Sequence, residues 1–148
     1  MKLVRNKLTV IIKRKFPPTW RHMKKDESGT IYFDWYQEGV RCLIMRGPGA
    51  LCAYIGVPTG HPLSNKSYED LNVDVHGGWT FDGEGDGKYR PTGVYWYGWD
   101  YTHCDDQPFY SIHRTGKRWM VEEVRRHILK ALPEFKKEME KSEDFNKS

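Results

Sequence analysis

Val40-Arg41-Cys42-Leu43-Ile44-Met45-Arg46, Gly47-Pro48-Gly49-Ala50 and Leu51-Cys52-Ala53-Tyr54-Ile55-Gly56-Val57 form the stretch that decides the fold. Two runs rich in aliphatic and aromatic strand formers flank four residues whose glycines and proline favour a turn. That is the pattern of a β-hairpin. Pro58 closes the second run, because proline cannot donate to a ladder. Upstream, residues 7–15 alternate Leu8, Val10 and Ile12 with Thr9, Ile11 and Lys13 and read as a further strand, ended by Pro17-Pro18. Residues 30–36 suit either a strand or a short helix.

Downstream, residues 67–71 predict one helical turn with Ser67 as its cap. Residues 72–76 alternate again, with Val73 and Val75 on one side and Asn72, Asp74 and His76 on the other. Gly77-Gly78 interrupts the pattern and residues 79–81 resume it. Residues 82–87 predict a loop, 93–100 its return strand, and 102–111 an irregular connection. A helix is expected over 115–132, with Met120, Val121, Val124, Ile128, Ala131 and Leu132 as its apolar stripe and Pro133 breaking or kinking it. The expectation is an α+β fold, an antiparallel sheet of about five or six strands packed on a C-terminal helix. Residues 1–140 would form one domain and 141–148 a frayed tail.

Composition narrows the classes. The chain has 148 residues, enough for a real core, and aromatics reach 14% with six Trp and nine Tyr. No apolar run is long enough for a transmembrane helix, which gives a cytoplasmic expectation without membrane partners. Three widely spaced cysteines, Cys42, Cys52 and Cys104, predict thiols rather than disulfides or a Cys-rich zinc site. Residues 1–25 carry nine Lys or Arg and no acid, whereas 54–113 carry nine acids. The basic arm suits either contact with phosphate or a lysine-protected strand edge. No phosphate-binding Gly loop, dinucleotide fingerprint, GxSxG elbow or kinase motif is present. Asp82, Glu84 and Asp86 begin like a calcium loop, but Gly93 stands where a bidentate Glu is required, so calcium binding of that kind is excluded.

The chemistry-bearing residues gather between Tyr54 and His113. Asp74 and His76 would share a strand face beside glycines that allow a bulge or close approach. Asp100 ends a strand three residues before His103, with Asp105 and Asp106 close behind. These carboxylates can orient an imidazole or bind a cation, and Asp100 can equally cap a turn. His61, in Gly60-His61-Pro62, is a third candidate on a stiff loop. Two His and one carboxylate would suit zinc, manganese or iron, although the spacing matches no standard ligand motif, so a divalent metal is possible but not favoured. Eight rings between Trp79 and Tyr101 exceed what one face of one hairpin buries. Trp79 and Trp99 are therefore candidates to stack on a base, with Lys88 and Arg90 near phosphate.

The run from Leu51 to Pro58, then His61-Pro62, then Val75-His76-Gly77-Gly78-Trp79-Thr80, then Trp96-Tyr97-Gly98-Trp99-Asp100 with His103, resembles a group of small bacteriophage-encoded proteins. The likeness covers residues 40–130. Tyr101 and Cys104 depart from the group's pattern, and Asp106 lengthens the acidic run. The resemblance implies a phage accessory protein in the host bacterial cytoplasm. Proteins of that kind inhibit host enzymes, modify nucleic acid or remove host immune signals. The resulting expectation is a protein that binds and sequesters a nucleotide-derived small molecule through His61, Asp74, His76, Trp79, Trp99, Asp100 and His103. The alternatives are a hydrolase or phosphodiesterase using His76, His103 and Asp100, and an inhibitor that binds a host protein.

Overall fold

The computed structural model describes residues 28–103, 105–108 and 116–147. The expected strand at 7–15, the basic arm and Cys104 lie outside these residues. Five strands form one sheet: β1 (Ile31–Gln37), β2 (Val40–Arg46), β3 (Leu51–Pro58), β4 (Phe81–Glu84) and β5 (Val94–Asp100). Their order is β1-β2-β3-β5-β4, with every neighbouring pair antiparallel. A helix, α1 (Val121–Lys147), follows. The α+β expectation holds, with the predicted hairpin as β2 and β3. Residues 30–36 resolve as strand because Glu38 (φ 52°) and Gly39 (φ 85°) form the two-residue turn that matches strand twist. Ser67 caps a 3₁₀ turn at Tyr68–Asp70 by accepting from the Glu69 N–H.

Alternation along the strands divides the rings between two buried faces. Cys42, Ile44, Ala53, Ile55, Val57, Tyr95, Tyr97 and Trp99 belong to the core that α1 covers. Leu43, Met45, Tyr54, Val94 and Trp96 form a second cluster on the other face. Trp96 lies opposite Gly56 and Tyr54 opposite Gly98. A Cβ on either glycine would fall 2.8 Å from Trp96 or 2.5 Å from Tyr54, so these glycines make room for the rings. The 85–93 loop folds onto this second face. Pro91 accepts from Trp96 Nε1 at 3.0 Å, and the Arg90 guanidinium lies 4.3 Å from the Phe81 ring centre. Arg90 is thereby engaged by a ring and by Asp86 at 3.6 Å, rather than held ready for phosphate.

Asp86 shapes that loop. Its Oδ1 accepts from the backbone N–H groups of Lys88, Tyr89 and Arg90, and these bonds hold its pKa down at about 2. A depressed carboxylate stabilises the fold above the ordinary value near 3.9 and loses that contribution as pH falls toward the folded value. Asp86→Asn should therefore melt below the wild type at about pH 5, with the gap narrowing as pH falls from about 4 and closing only below about 2. An unchanged gap in thermal melts would reject this role.

The helix differs from its expected span. It starts at Val121 because Glu123 reaches back to the Met120 N–H at 2.9 Å and Lys117 holds the other carboxylate oxygen at 2.8 Å. Met120 is 56% exposed and leaves the stripe. Pro133 neither ends the helix nor shortens it. The missing N–H costs one backbone bond, but Val124, Ile128, Ala131, Leu132 and Phe135 are buried on both sides of it. The segment expected to fray is helical through Lys147, with Ser142 buried and bonded to the Met139 carbonyl at 2.7 Å. Residues 72–75 belong to no strand or helix, His76 and Gly77 form a turn, and 82–84 belong to β4 rather than to a loop. Cys42 is buried and Cys52 partly buried, both as free thiols. No helix among the described residues is long and apolar enough to cross a membrane.

Candidate functional site

Buried Val73 and the bond from Trp79 Nε1 to its carbonyl at 3.0 Å pin the 72–79 segment to the core. Gly77 and Gly78, both at positive φ, then turn the chain back toward β4. His76 projects from this turn and stacks on Tyr101, with ring centres 4.5 Å apart and planes at 13°. Beyond β5, the Asp106 N–H donates to the His103 carbonyl and the His103 N–H donates to Asp106 Oδ2 at 2.9 Å. This reciprocal turn brings Asp106 beneath His76. His76 Nε2 lies 3.0 Å from both Asp106 oxygens, and Trp119 Nε1 donates to Oδ1 at 2.7 Å.

Asp106 is the electrostatic centre of the cluster, with its side chain 1% exposed. Burial alone would raise its pKa. The bonds from His76, the His103 backbone and Trp119 outweigh burial and hold it below its ordinary value. An ionised carboxylate only accepts, so in neutral His76 the proton sits on Nε2 and Nδ1 offers a lone pair.

A second imidazole is fixed by a different chain. Trp99 Nε1, which can only donate, bonds the Tyr101 hydroxyl at 3.0 Å. That hydroxyl then donates to His127 Nδ1 at 2.7 Å, so neutral His127 carries its proton on Nε2. Burial pushes the His127 imidazole below its ordinary value, with His76 as the second cause. The two imidazoles stack at 5.7 Å and 18°, one presenting an acceptor and the other a donor.

Both histidines line a groove of about 570 Å³ between the 74–76 segment and α1. Lys130, Glu134 and Lys137 share the helix face that forms one wall, and Asp74 stands on the other. His103 sits behind His76. Its Nδ1 is buried without a hydrogen bond, 3.6 Å from Asp106 Oδ2 and 4.0 Å from Asp100 Oδ1. A Cβ on Gly77 would come 2.2 Å from its ring, so the glycine leaves space for it.

The expected site residues thus divide. His76 and Asp74 line the groove, and His103 sits beside His76 outside its lining. Asp100 caps a turn, accepting from the Thr102 N–H at 3.2 Å and hydroxyl at 2.8 Å and from the Thr80 hydroxyl at 3.4 Å, and its Oδ1 lies 4.0 Å from His103 Nδ1. Trp99 is closed off as a stacking platform, whereas Trp79 is partly buried with some of its surface open. The two rings meet edge to face at 5.3 Å, with Trp99 in the core at 1% exposure and Trp79 packed against it. His61 is elsewhere. Its Nε2 meets Glu143 at 2.8 Å and its Nδ1 accepts from the Leu63 N–H, so it ties a loop to the far end of α1. Glu143 lies sixteen residues beyond His127, roughly 24 Å along the axis.

Asp106 was legible only as one member of an acidic run. Tyr101, Trp119, His127, Lys130 and Lys137 were not identified from sequence. The available signal for His127 was its place beside the apolar stripe, three residues after Val124 and four before Ala131. No family model, curated protein or solved structure matches the chain.

Proposed function

We propose that the protein binds and sequesters a nucleotide-derived, phosphate-bearing small molecule in the groove beside α1. The observation that carries this reading is the convergence of Lys130, Lys137, His76 and His127 on one groove of about 570 Å³. That volume lies within the range of small-molecule sites, roughly 300–1,000 Å³. The lysines supply point charges for phosphate, and His127 Nε2 supplies a neutral donor. Asp74 and Glu134 accept from ribose hydroxyls or base N–H groups. The phage resemblance supplies the biological setting, a host immune signal removed in the bacterial cytoplasm. The burial of Trp99 takes base stacking on that ring out of the proposal.

Incubation with cyclic oligonucleotides and ADP-ribose derivatives tests it, with each ligand quantified by chromatography and mass spectrometry before and after heat denaturation. Sequestration predicts a ligand that leaves the free pool and returns intact on heating. Lys137→Glu, on an exposed helix position, should bind that ligand about 10- to 100-fold more weakly, because it replaces an attraction to phosphate by a repulsion. A second reading, a hydrolase acting on a phosphodiester, is favoured by His76 Nε2 lying against both oxygens of buried Asp106. Such a carboxylate–imidazole pair leaves Nδ1 as a general base. It predicts a product of altered mass. If every ligand stays free and unchanged, the nucleotide reading is abandoned for binding to a host protein.

A further inference from the structure

We infer that His76, His103 and Asp106 form a zinc-binding site beside the groove, which His76 also lines. The inference goes beyond the nucleotide reading and does not depend on it. One ligand atom from each residue lies within 4.8 Å of the other two. His76 Nε2 is 3.0 Å from Asp106 Oδ2, and His103 Nδ1 is 3.6 Å from the same oxygen. A tetrahedral ion with bonds of about 2.0–2.1 Å separates its ligand atoms by roughly 3.3–3.4 Å. The two measured edges bracket that separation, and the third, between the two imidazoles, is within 4.8 Å and would have to close toward it.

A separate observation points to a cation. His103 Nδ1 is buried and makes no hydrogen bond, in a place where a backbone or side-chain donor would normally be answered. Carboxylate oxygens of Asp106 and Asp100 lie 3.6 and 4.0 Å from it. In the tautomer whose lone pair is on Nδ1, a divalent ion in that gap would be bonded by the imidazole and the carboxylate together. Gly77 keeps the volume beside the ring clear of a side chain.

The surroundings suit the same role. Trp119 Nε1 fixes Asp106 Oδ1 at 2.7 Å and the His103 N–H fixes Oδ2 at 2.9 Å, which orients the carboxylate for a monodentate bond. Two imidazoles and one carboxylate match zinc better than magnesium or calcium, which take oxygen donors. Three protein ligands leave a fourth position for water or for an oxygen of a groove ligand. Binding through His76 Nε2 moves that ring's proton to Nδ1, on the groove side of the pair with Asp106.

The full chain, stripped with a chelator, is titrated with zinc chloride by calorimetry and with cobalt chloride by visible absorption. The expected result is one zinc per chain and the absorption bands of tetrahedral cobalt. His103→Ala should weaken zinc at least 100-fold, and Trp119→Phe about 10- to 100-fold by releasing the carboxylate. His61→Ala should bind as the wild type does, which separates this site from other histidines. Circular dichroism of the metal-free variants shows that they are folded. Should His103→Ala unfold, His103→Gln provides the same comparison. No uptake at one equivalent by the wild type, or equal uptake by the His103 variant, overturns the site. Zinc uptake without nucleotide binding removes only the nucleotide reading, and the reverse removes only the metal site.

Discussion

Asp106→Ala is expected to lower the unfolding free energy by about 3–5 kcal/mol, the cost of removing a buried carboxylate that answers several donors. The carboxylate answers three donors: His76 Nε2 at 3.0 Å, Trp119 Nε1 at 2.7 Å and the His103 N–H at 2.9 Å. Each donor left buried and unanswered costs about 1–3 kcal/mol, and those costs overlap because the groups share one site. Asp106→Asn keeps the shape and one acceptor oxygen but turns an amide N–H₂ toward donors, so about half the loss is expected. Urea unfolding followed by circular dichroism reads both values as midpoint shifts at constant slope. A shift worth less than about 1 kcal/mol for the Ala variant would mean that Asp106 is not the anchor of the cluster. The same variant should lose the ligand in the groove, since His76 would no longer be held in one tautomer.

The distance between sequence and structure is uneven, for physical reasons. The β2–β3 hairpin was legible because Gly47-Pro48-Gly49-Ala50 sits between two runs that can only be strands. Residues 72–76 carry the same period of two yet pair with nothing. Val73 docks in the core while Asp74 and His76 face the groove, and alternation needs only a buried side, not a ladder partner. The helix start was misplaced because Glu123 caps Met120, a side-chain bond that outweighs the apolar pattern of the preceding residues. Within the site, His76 and His103 stood out beside glycines in a short span. Choosing Asp106 over Asp100 required the turn geometry: Asp100 bends back to Thr102, whereas Asp106 swings under the imidazole. His127 and the two lysines could not be joined to His76 from local sequence, because only the packing of α1 on the sheet brings them together.

Trp99→Ala is expected to cost about 3–5 kcal/mol, the range for emptying a large aromatic site in a close-packed core. Trp99 is 1% exposed, packs edge to face on Trp79 at 5.3 Å and donates to Tyr101 at 3.0 Å. A ring that served as an exposed platform for a base would behave in the opposite way. Its removal would change stability by no more than about 0.5 kcal/mol and would abolish ligand binding. Denaturant unfolding therefore separates the two roles before any ligand is known, and a Trp99→Ala protein as stable as the wild type would sink the core assignment. Trp99→Phe isolates the polar part of the effect. It keeps most of the ring volume, so the loss should fall to about 1–2 kcal/mol, but it removes the only N–H that fixes the Tyr101 hydroxyl. Without that donor the hydroxyl is free to accept from His127 as well as to donate to it. Nitrogen NMR of the imidazoles should then show His127 shifting from one tautomer to a mixture, while His76, held by Asp106, stays in its own. The core tryptophan would thus be seen to act on the groove through one hydroxyl, a role that leaves no trace in its burial alone.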